Sequence, residues 1–226
     1  MTIKSKYLEQ LLNDFELLSE IVLSQINMTR TLMLFNTDNE RNVELYETIE
    51  RNEKLIDGLD LEIREGVINA IFLFTPRAAD LRKIIAYHNM TNYLERVGDL
   101  ALNVAHFIKK ICITIDEFSN VLDKLYVMFQ QTQLMLKNAI ISFSCEDSST
   151  AYETISMDDV IDGLYKEITT LLAESFKDKP LSEQELKNMM FLNSISYNIE
   201  RIADNATNIA ESAIYLTDGK DIRHRN

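Results

Sequence analysis

Turn-forming residues are scarce in this sequence. Only 5 glycines and 2 prolines occur among 226 residues, and these two residue types commonly form the turns that a fold of many short strands requires. This scarcity argues against a sandwich or barrel of short strands and favours a few long helices. The sequence therefore predicts an all-α fold.

Positive charge is also scarce. Lys and Arg number 23 against 36 Asp and Glu, which gives a formal net charge of −13 and a pI near 4.7. No dense block of Lys or Arg appears, so the electrostatic footprint of a nucleic-acid-binding protein is missing. Cations and basic protein surfaces are the partners that this charge favours.

Cysteines and long apolar runs are few. Cys112 and Cys145 lack the spacing of a zinc site and suit a reducing compartment. The best apolar run, VINAIFLF at 67–74, is far shorter than the roughly 20 residues of a membrane span, and the N-terminus lacks the apolar region of a signal peptide. We expect a cytoplasmic protein.

An internal repeat organises the chain. YETIERNEKLIDGL (46–59) returns, one residue shorter, as YETISMDDVIDGL (152–164), and LERVGDLALNVA (94–105) returns as IERIADNATNIA (199–210). Such self-similarity at a fixed offset indicates one structural unit used twice. The sequence predicts a first domain over 1–112 and a second over 113–226.

Each repeated unit divides into three helices. Thr75 is a candidate N-cap with Pro76 in the first helical position, Ser182 and Glu185 match a capping box, and Gly219 is a candidate C-terminal stop. Short connections make neighbouring helices antiparallel. The prediction is a tandem repeat of two antiparallel three-helix bundles, with helices at about 5–36, 39–73, 76–112, 115–144, 148–177 and 182–217.

Pairs of acidic residues four positions apart occur twice in each unit. Within each unit, both pairs lie roughly 30 Å from the turn that joins their helices, so they are level in the bundle. We name the two resulting sets the first acidic cluster (Glu53, Asp57, Glu95, Asp99) and the second acidic cluster (Asp158, Asp162, Glu200, Asp204). Four carboxylates at one level predict an oxygen-rich site for hard cations such as Mg²⁺, Mn²⁺ or iron.

Surface decoration is the alternative explanation for these acids, because pairs of this spacing are common on solvated helix faces. Glu95 lies about 180° around its helix from the apolar stripe, and Glu53 lies about 90° or more from Leu59 and Ile63. The predicted sites are therefore open at the surface, where solvent screens like-charge repulsion. The fourfold recurrence at matched levels favours cation binding over decoration.

Further polar residues follow the acid pairs in register. Asn103 and Asn208 are candidate outer ligands, or simply exposed helical asparagines. His106 occupies the place of Glu211 in the other unit; it could ligate a softer metal such as zinc, or be an ordinary polar-face histidine. No nucleophile elbow, phosphate-binding glycine loop or zinc signature is present, so we expect no enzymatic activity.

These features together resemble the PhoU family of bacterial phosphate-uptake regulators. The resemblance rests on the two units, the four acid pairs, the segments LERVGDLALNVA and IERIADNATNIAE, and the closing YLTDGKDIRH, and it covers essentially the whole chain. Two positions depart from the family pattern, because His106 replaces a common acid and Ala203 replaces the usual glycine. The departures leave open a difference between the two sites in occupancy or in metal.

The resemblance implies a cytoplasmic negative regulator of the phosphate-starvation response and of phosphate uptake. It implies an adaptor, and a homodimer, that links the ATPase subunit of a phosphate ABC transporter to a membrane sensor histidine kinase. It also implies multinuclear metal clusters at the acid pairs, with iron, Mg, Mn or Zn as candidate metals. The alternative function is a helical scaffold of another pathway that carries no metal and binds only basic partners through its acidic faces.

Overall fold

Helices account for the regular structure of this chain. The computed structural model describes residues 3–34, 39–111, 118–175, 177, 180–219 and 222, and no strand occurs within these ranges. The prediction of an all-α fold is confirmed. The helices are α1 (Ile3–Leu32), α2 (Asn39–Phe74), α3 (Ala78–Lys110), α4 (Ser119–Ser144), α5 (Ser148–Ser156), α6 (Asp158–Glu174) and α7 (Glu183–Asp218).

Two helical bundles follow one another along the chain. α1, α2 and α3 pack together, and α4 packs with α5, α6 and α7. α1 and α2 are antiparallel, since Tyr7 near the start of α1 stacks edge-on against Phe74 at the end of α2. The tandem repeat of bundles is confirmed. The predicted boundary between 112 and 113 lies in a segment outside the described residues.

The bundles share one apolar core. In α1 the buried residues Phe15, Leu18 and Val22 recur at spacings of three and four, which place them on one face of a helix. Phe15 also contacts Tyr87 of α3 and Phe143 of α4, with ring centroids 4.8 Å and 5.7 Å away. Aromatic contacts of this kind connect the first bundle to the second.

α3 and α7 form the largest junction between the bundles. The rings of Phe107 and Phe191 lie 6.0 Å apart at one end of the junction, and Arg82 lies over the ring of Tyr215 at the other. The two helices therefore run antiparallel along most of their length. α3 carries one acid pair of the first cluster and α7 carries one acid pair of the second. The packing of α3 on α7 therefore brings the two acidic clusters close together.

The single helix predicted over 148–177 is interrupted at Met157. α5 ends at Ser156 and α6 begins at Asp158, with Met157 forming a turn between them. The interruption falls where the second repeat is one residue shorter than the first. A one-residue deletion rotates all later side chains by about 100° around a continuous helix. The break compensates for this rotation, and Ile161 is buried as Ile56 is in α2.

The capping predictions are confirmed for α7 and wrong for α3. Ser182 and Glu185 form the capping box, and Gly219 ends α7 in the left-handed conformation. α3 begins at Ala78 with Arg77 as its N-cap, whereas Thr75 has a φ of +41° and its N–H donates to the Ile71 carbonyl at the end of α2. The following proline disfavours the helical region for Thr75, so this residue ends one helix and does not begin the next.

Membrane spans are absent from the part of the chain that the structure describes, since none of its helices is long and apolar enough to cross a bilayer.

Candidate metal sites

The first acidic cluster forms where α2 and α3 approach closely. Gly98 makes this approach possible, because a Cβ atom there would lie 2.9 Å from Cδ1 of Ile56 and 3.3 Å from Oε2 of Glu53. The carboxyl groups of Glu53 and Asp99 interact directly across the two helices. Asp57 and Asp99 are exposed, and Glu95 is half-buried.

Glu53 departs from the prediction that all these acids lie at the surface. Its residue exposure is only 7%. The predicted apolar stripe was centred on Leu59 and Ile63, but the buried face of α2 follows Ile49, Ile56 and Ile63. At 100° per residue Glu53 lies within about 60° of Ile49 and Ile56. The first cluster therefore extends from the surface into the bundle.

Gln25 of α1 completes the buried end of the first cluster. This side chain is fully buried, and its Nε2 donates to Oε2 of Glu53 at 2.8 Å and to the Gly98 carbonyl at 2.9 Å. Oε1 of Glu53 and Oε1 of Gln25 are buried and have no hydrogen-bond partner. Gln25 is not among the predicted site residues, although an amide among the apolar residues Val22 and Ile26 is a signal that could have identified it.

Burial and mutual repulsion both oppose ionisation in the first cluster. The pKa of Glu53 is raised to about 7, first by burial and then by the hydrogen bond and charge of Asp99 and the charge of Asp57, while Gln25 lowers it. Burial, followed by Asp99, also raises the pKa of Glu95. Raised carboxyl pKa values mean that a proton or another cation is favoured there.

A further acid lies on the same buried side of α2. Asp60 is only 6% exposed, and both of its carboxylate oxygens lie 2.8 Å from Nε of Arg64. Its charge contributes to the raised pKa of Glu95, and Arg64 opposes that shift. Asp60 lies seven residues after Glu53, which places it on the same helix face. It is absent from the predicted site because it belongs to no acid pair of the repeated spacing.

The second acidic cluster forms between α6 and α7. Burial is the main cause of the raised pKa values of Asp158, Glu200 and Asp204, and repulsion from neighbouring carboxylates of the cluster adds to each shift. Arg201 partly neutralises this charge, because its Nη1 lies 2.7 Å from Oδ2 of Asp204. Oε2 of Glu200 is buried without a partner. Lys166 Nζ also lies 3.8 Å from Oδ2 of Asp162, so two members of this cluster are themselves ion-paired, whereas in the first cluster Arg64 pairs with the neighbouring Asp60.

The candidate outer ligands are distributed unevenly. His106 lies with Nε2 3.7 Å from Oε1 of Glu50, and Asn103 is exposed on α3. Asn208 and Glu211 instead line a polar groove of about 610 Å³ between α3 and α7. Glu95 of the first cluster and Asp204 of the second line the same groove, so the two clusters open onto a common space.

The positions of these side chains bear on metal coordination. Among the described residues, no three His, Cys, Asp or Glu side chains converge closely enough to hold one ion. The donors nevertheless suit a hydrated hard cation, because Mg²⁺ commonly keeps several waters and binds through one or two carboxylates. The buried, unpartnered oxygens of Glu53, Gln25 and Glu200 are acceptors without donors. Metal binding at both clusters stays a prediction.

Comparison with known proteins connects this arrangement to one family. A family model described as the PhoU domain matches residues 15–108 and again residues 125–213. The phosphate-specific transport system accessory protein PhoU homolog of Zymomonas mobilis is 31% identical over 204 residues, which cover 90% of this chain and 82% of that protein. The homolog of the same name from Aquifex aeolicus is 30% identical over 188 residues, or 83% of each chain.

Solved structures agree on the fold. The phosphate transport system regulatory protein PhoU from Streptococcus pneumoniae matches with a TM-score of 0.79 at 22% identity and covers 97% of this chain and 99% of its own. PhoU from Pseudomonas aeruginosa matches with a TM-score of 0.79 at 23% identity over 96% of this chain and 99% of its own. The family resemblance noted in the sequence is confirmed by the family model and the relatives, and the solved structures confirm the fold.

Proposed function

The chain belongs to the PhoU family, and from this membership we propose that it is an accessory, regulatory protein of a phosphate transport system. The observation that carries the proposal is the match of the family model to both repeats, together with curated relatives that bear this description over most of their length. We propose further that it acts in the cytoplasm, without catalysis, as a negative regulator of phosphate uptake and of the phosphate-starvation response.

Metal binding is the second part of the proposal. The residues that would hold divalent or trivalent ions are those of the two acidic clusters, with the exposed carboxylates Asp57 and Asp99 accessible from solvent in the first. A bound cation would neutralise part of the charge that raises the pKa values of Glu53 and Glu95. The cluster carboxylates repel one another without the ion, so a bound cation would hold their side chains together.

Regulation by such a protein requires only differential binding. A net charge of −13 favours fast, reversible encounter with basic surfaces, and we propose the transporter's ATPase subunit and the sensor histidine kinase as the partners, with a homodimer as the acting form. If the adaptor prefers the transporter conformation that reports ample phosphate, about 1.4 kcal/mol of preference gives a tenfold change in occupancy. The kinase is thereby held in its non-signalling state.

A complementation experiment tests this function. A strain lacking the gene receives either the wild-type chain or the double variant Glu95→Gln with Asp99→Asn, and phosphate-starvation gene expression is measured in high phosphate. We expect the wild type to repress and the double variant to repress poorly. The matched control is Glu16→Gln with Glu20→Gln, an exposed acid pair of the same spacing on α1, which should repress fully.

A metal-free scaffold that binds basic partners in another pathway is the second candidate. It is favoured by the absence of three converging ligands among the described residues. A wild-type chain that fails to repress starvation genes, and a purified chain that contains no chelator-sensitive metal, would support this candidate against the first.

A further inference from the structure

The first helices of the two bundles carry different residues at the position that Gln25 occupies in α1. α1 and α4 align at an offset of 103 residues, which pairs Phe15 with Phe118 and Thr29 with Thr132, and all four are buried. In this register Gln25 of α1 corresponds to Met128 of α4, and both side chains are fully buried. A hydrogen-bonding amide in one bundle is therefore replaced by a thioether in the other.

Gln25 is fixed at both hydrogens of its amide. Its Nε2 donates to Oε2 of Glu53 on α2 and to the carbonyl of Gly98 on α3, at 2.8 Å and 2.9 Å. One residue thus connects the two helices that supply the first cluster. Because Oε2 of Glu53 is held by Gln25, the free Oε1 has a defined orientation, and it is buried without a partner.

The second cluster lacks this support. The thioether of Met128 has no N–H to donate, and Asp158 is one methylene shorter than Glu53, its counterpart in the repeat. The contact that Asp158 does receive is long, with Oγ1 of Thr207 donating to its Oδ1 at 3.4 Å. Arg201 also competes for the carboxylates of this cluster through Asp204. These differences weaken the second cluster as a cation site.

We propose that Gln25 is a positioning residue that orients Glu53 for a divalent cation and makes the first cluster the tighter of two unequal sites. The inference rests on the metal binding proposed above and adds which cluster binds more tightly and why. Outer residues that orient a metal-ligating side chain typically contribute a factor of about 10–100 to metal affinity.

The test is a calorimetric titration of the metal-stripped full chain with Mn²⁺. We expect two classes of site in the wild type, and loss of the tighter class in Glu53→Gln. Gln25→Met, which copies the residue of the second bundle, should weaken the tighter class by about 10–100-fold. Gln130→Met makes the same change at an exposed position of α4 and should alter neither class.

A double-mutant cycle separates positioning from a purely structural role. In the Glu53→Gln background, Gln25→Met should weaken Mn²⁺ binding no further, because Gln25 acts through Glu53. Metal-free thermal unfolding of Gln25→Met should remain cooperative. If that variant does not fold, Gln25→Asn, whose amide is one methylene short of Glu53, replaces it in the cycle.

The outcomes distinguish the two proposals. A wild-type chain that binds no Mn²⁺ overturns metal binding and this inference with it. A wild type that binds Mn²⁺ while Gln25→Met leaves the tighter class unchanged, or weakens binding equally in both backgrounds, overturns this inference alone.

Discussion

Gly98 of α3 lies directly against Ile56 of α2, so that a Cβ atom at Gly98 would be 2.9 Å from Cδ1 of Ile56. Ile56 is fully buried and its Cγ2 would lie 3.4 Å from the same atom, so its rotation is restricted by the core. Overpacking of this kind costs about 1–3 kcal/mol, which exceeds the gain of up to about 1 kcal/mol for replacing a helical glycine by alanine. We expect Gly98→Ala to lower the free energy of unfolding, measured with urea.

Gly58 and Gly163 provide the controls for that prediction. No heavy atom lies within 4 Å of a Cβ built at either position, so alanine adds helix propensity without a clash. Each substitution should raise the free energy of unfolding by about 0.5–1 kcal/mol. An increase of the same size for Gly98→Ala would show that α2 and α3 can separate at no cost, contrary to the close approach described here.

Stability of the metal-free chain should increase as the pH falls from 8 to 5. The pKa of Glu53 is about 7 in the folded chain against an ordinary value of 4.5. Because the pKa is higher in the folded chain than in the unfolded chain, protonation of Glu53 stabilises the fold. This contribution is complete below pH 4.5 and is lost as the pH rises through 7. The full difference corresponds to about 3 kcal/mol. Urea unfolding at several pH values measures it.

Glu53→Gln tests the assignment of that pH dependence. The amide does not titrate, so the variant should lose most of the change in unfolding free energy between pH 5 and 8. The exposed Glu16→Gln should keep it. A pH dependence that is identical in Glu53→Gln and the wild type would assign the effect to other carboxylates, among which Glu95, Asp158 and Glu200 also have raised pKa values.

Neutralising the first cluster should have opposite effects with and without metal. In metal-free buffer, Glu95→Gln with Asp99→Asn removes like charges four residues apart and should raise the unfolding free energy by about 0.5 kcal/mol. In millimolar Mn²⁺ the wild type should gain stability by mass action, and the double variant should gain less. Thermal unfolding with chelator measures the first effect, and thermal unfolding with Mn²⁺ measures the second. An equal gain with Mn²⁺ in the two proteins would show that Glu95 and Asp99 do not bind the metal.

Much of the architecture could be predicted from the sequence. Helical periodicity is set by residues close together in the chain, and the internal repeat is visible by comparing one half of the sequence with the other. The capping box at Ser182 and the left-handed Gly219 were predictable for the same reason. The burial of Glu53 was not, since it depends on which neighbours α2 meets. Gln25 could not be assigned to the site because it comes from a helix without an acid pair, and only packing brings its amide to Glu53 and Gly98.

The same limit applies to the groove between the bundles. Each acid pair was predicted within its own bundle, from spacing along the chain. The packing of α3 on α7 joins residues that are distant in the chain, such as Phe107 with Phe191 and Arg82 with Tyr215, and the sequence carries no local signal for these contacts. It places Glu95 and Asp204 along one groove.

Among the described residues, Arg201 is one of two cations that pair with acids of the second cluster, the other being Lys166 beside Asp162. Its Nη1 lies 2.7 Å from Oδ2 of Asp204, and both side chains are about one third exposed, at 37% and 35%. Arg201→Gln leaves Asp204 and Glu200 without this counter-charge, so the metal-free chain should lose about 0.5–1 kcal/mol of unfolding free energy. The same change removes a competitor of the metal, and we expect tighter Mn²⁺ binding at the second cluster by calorimetry. Arg96→Gln, the equivalent exposed position of the first repeat, is the control; tighter binding in both variants would indicate a general charge effect and not competition for Asp204.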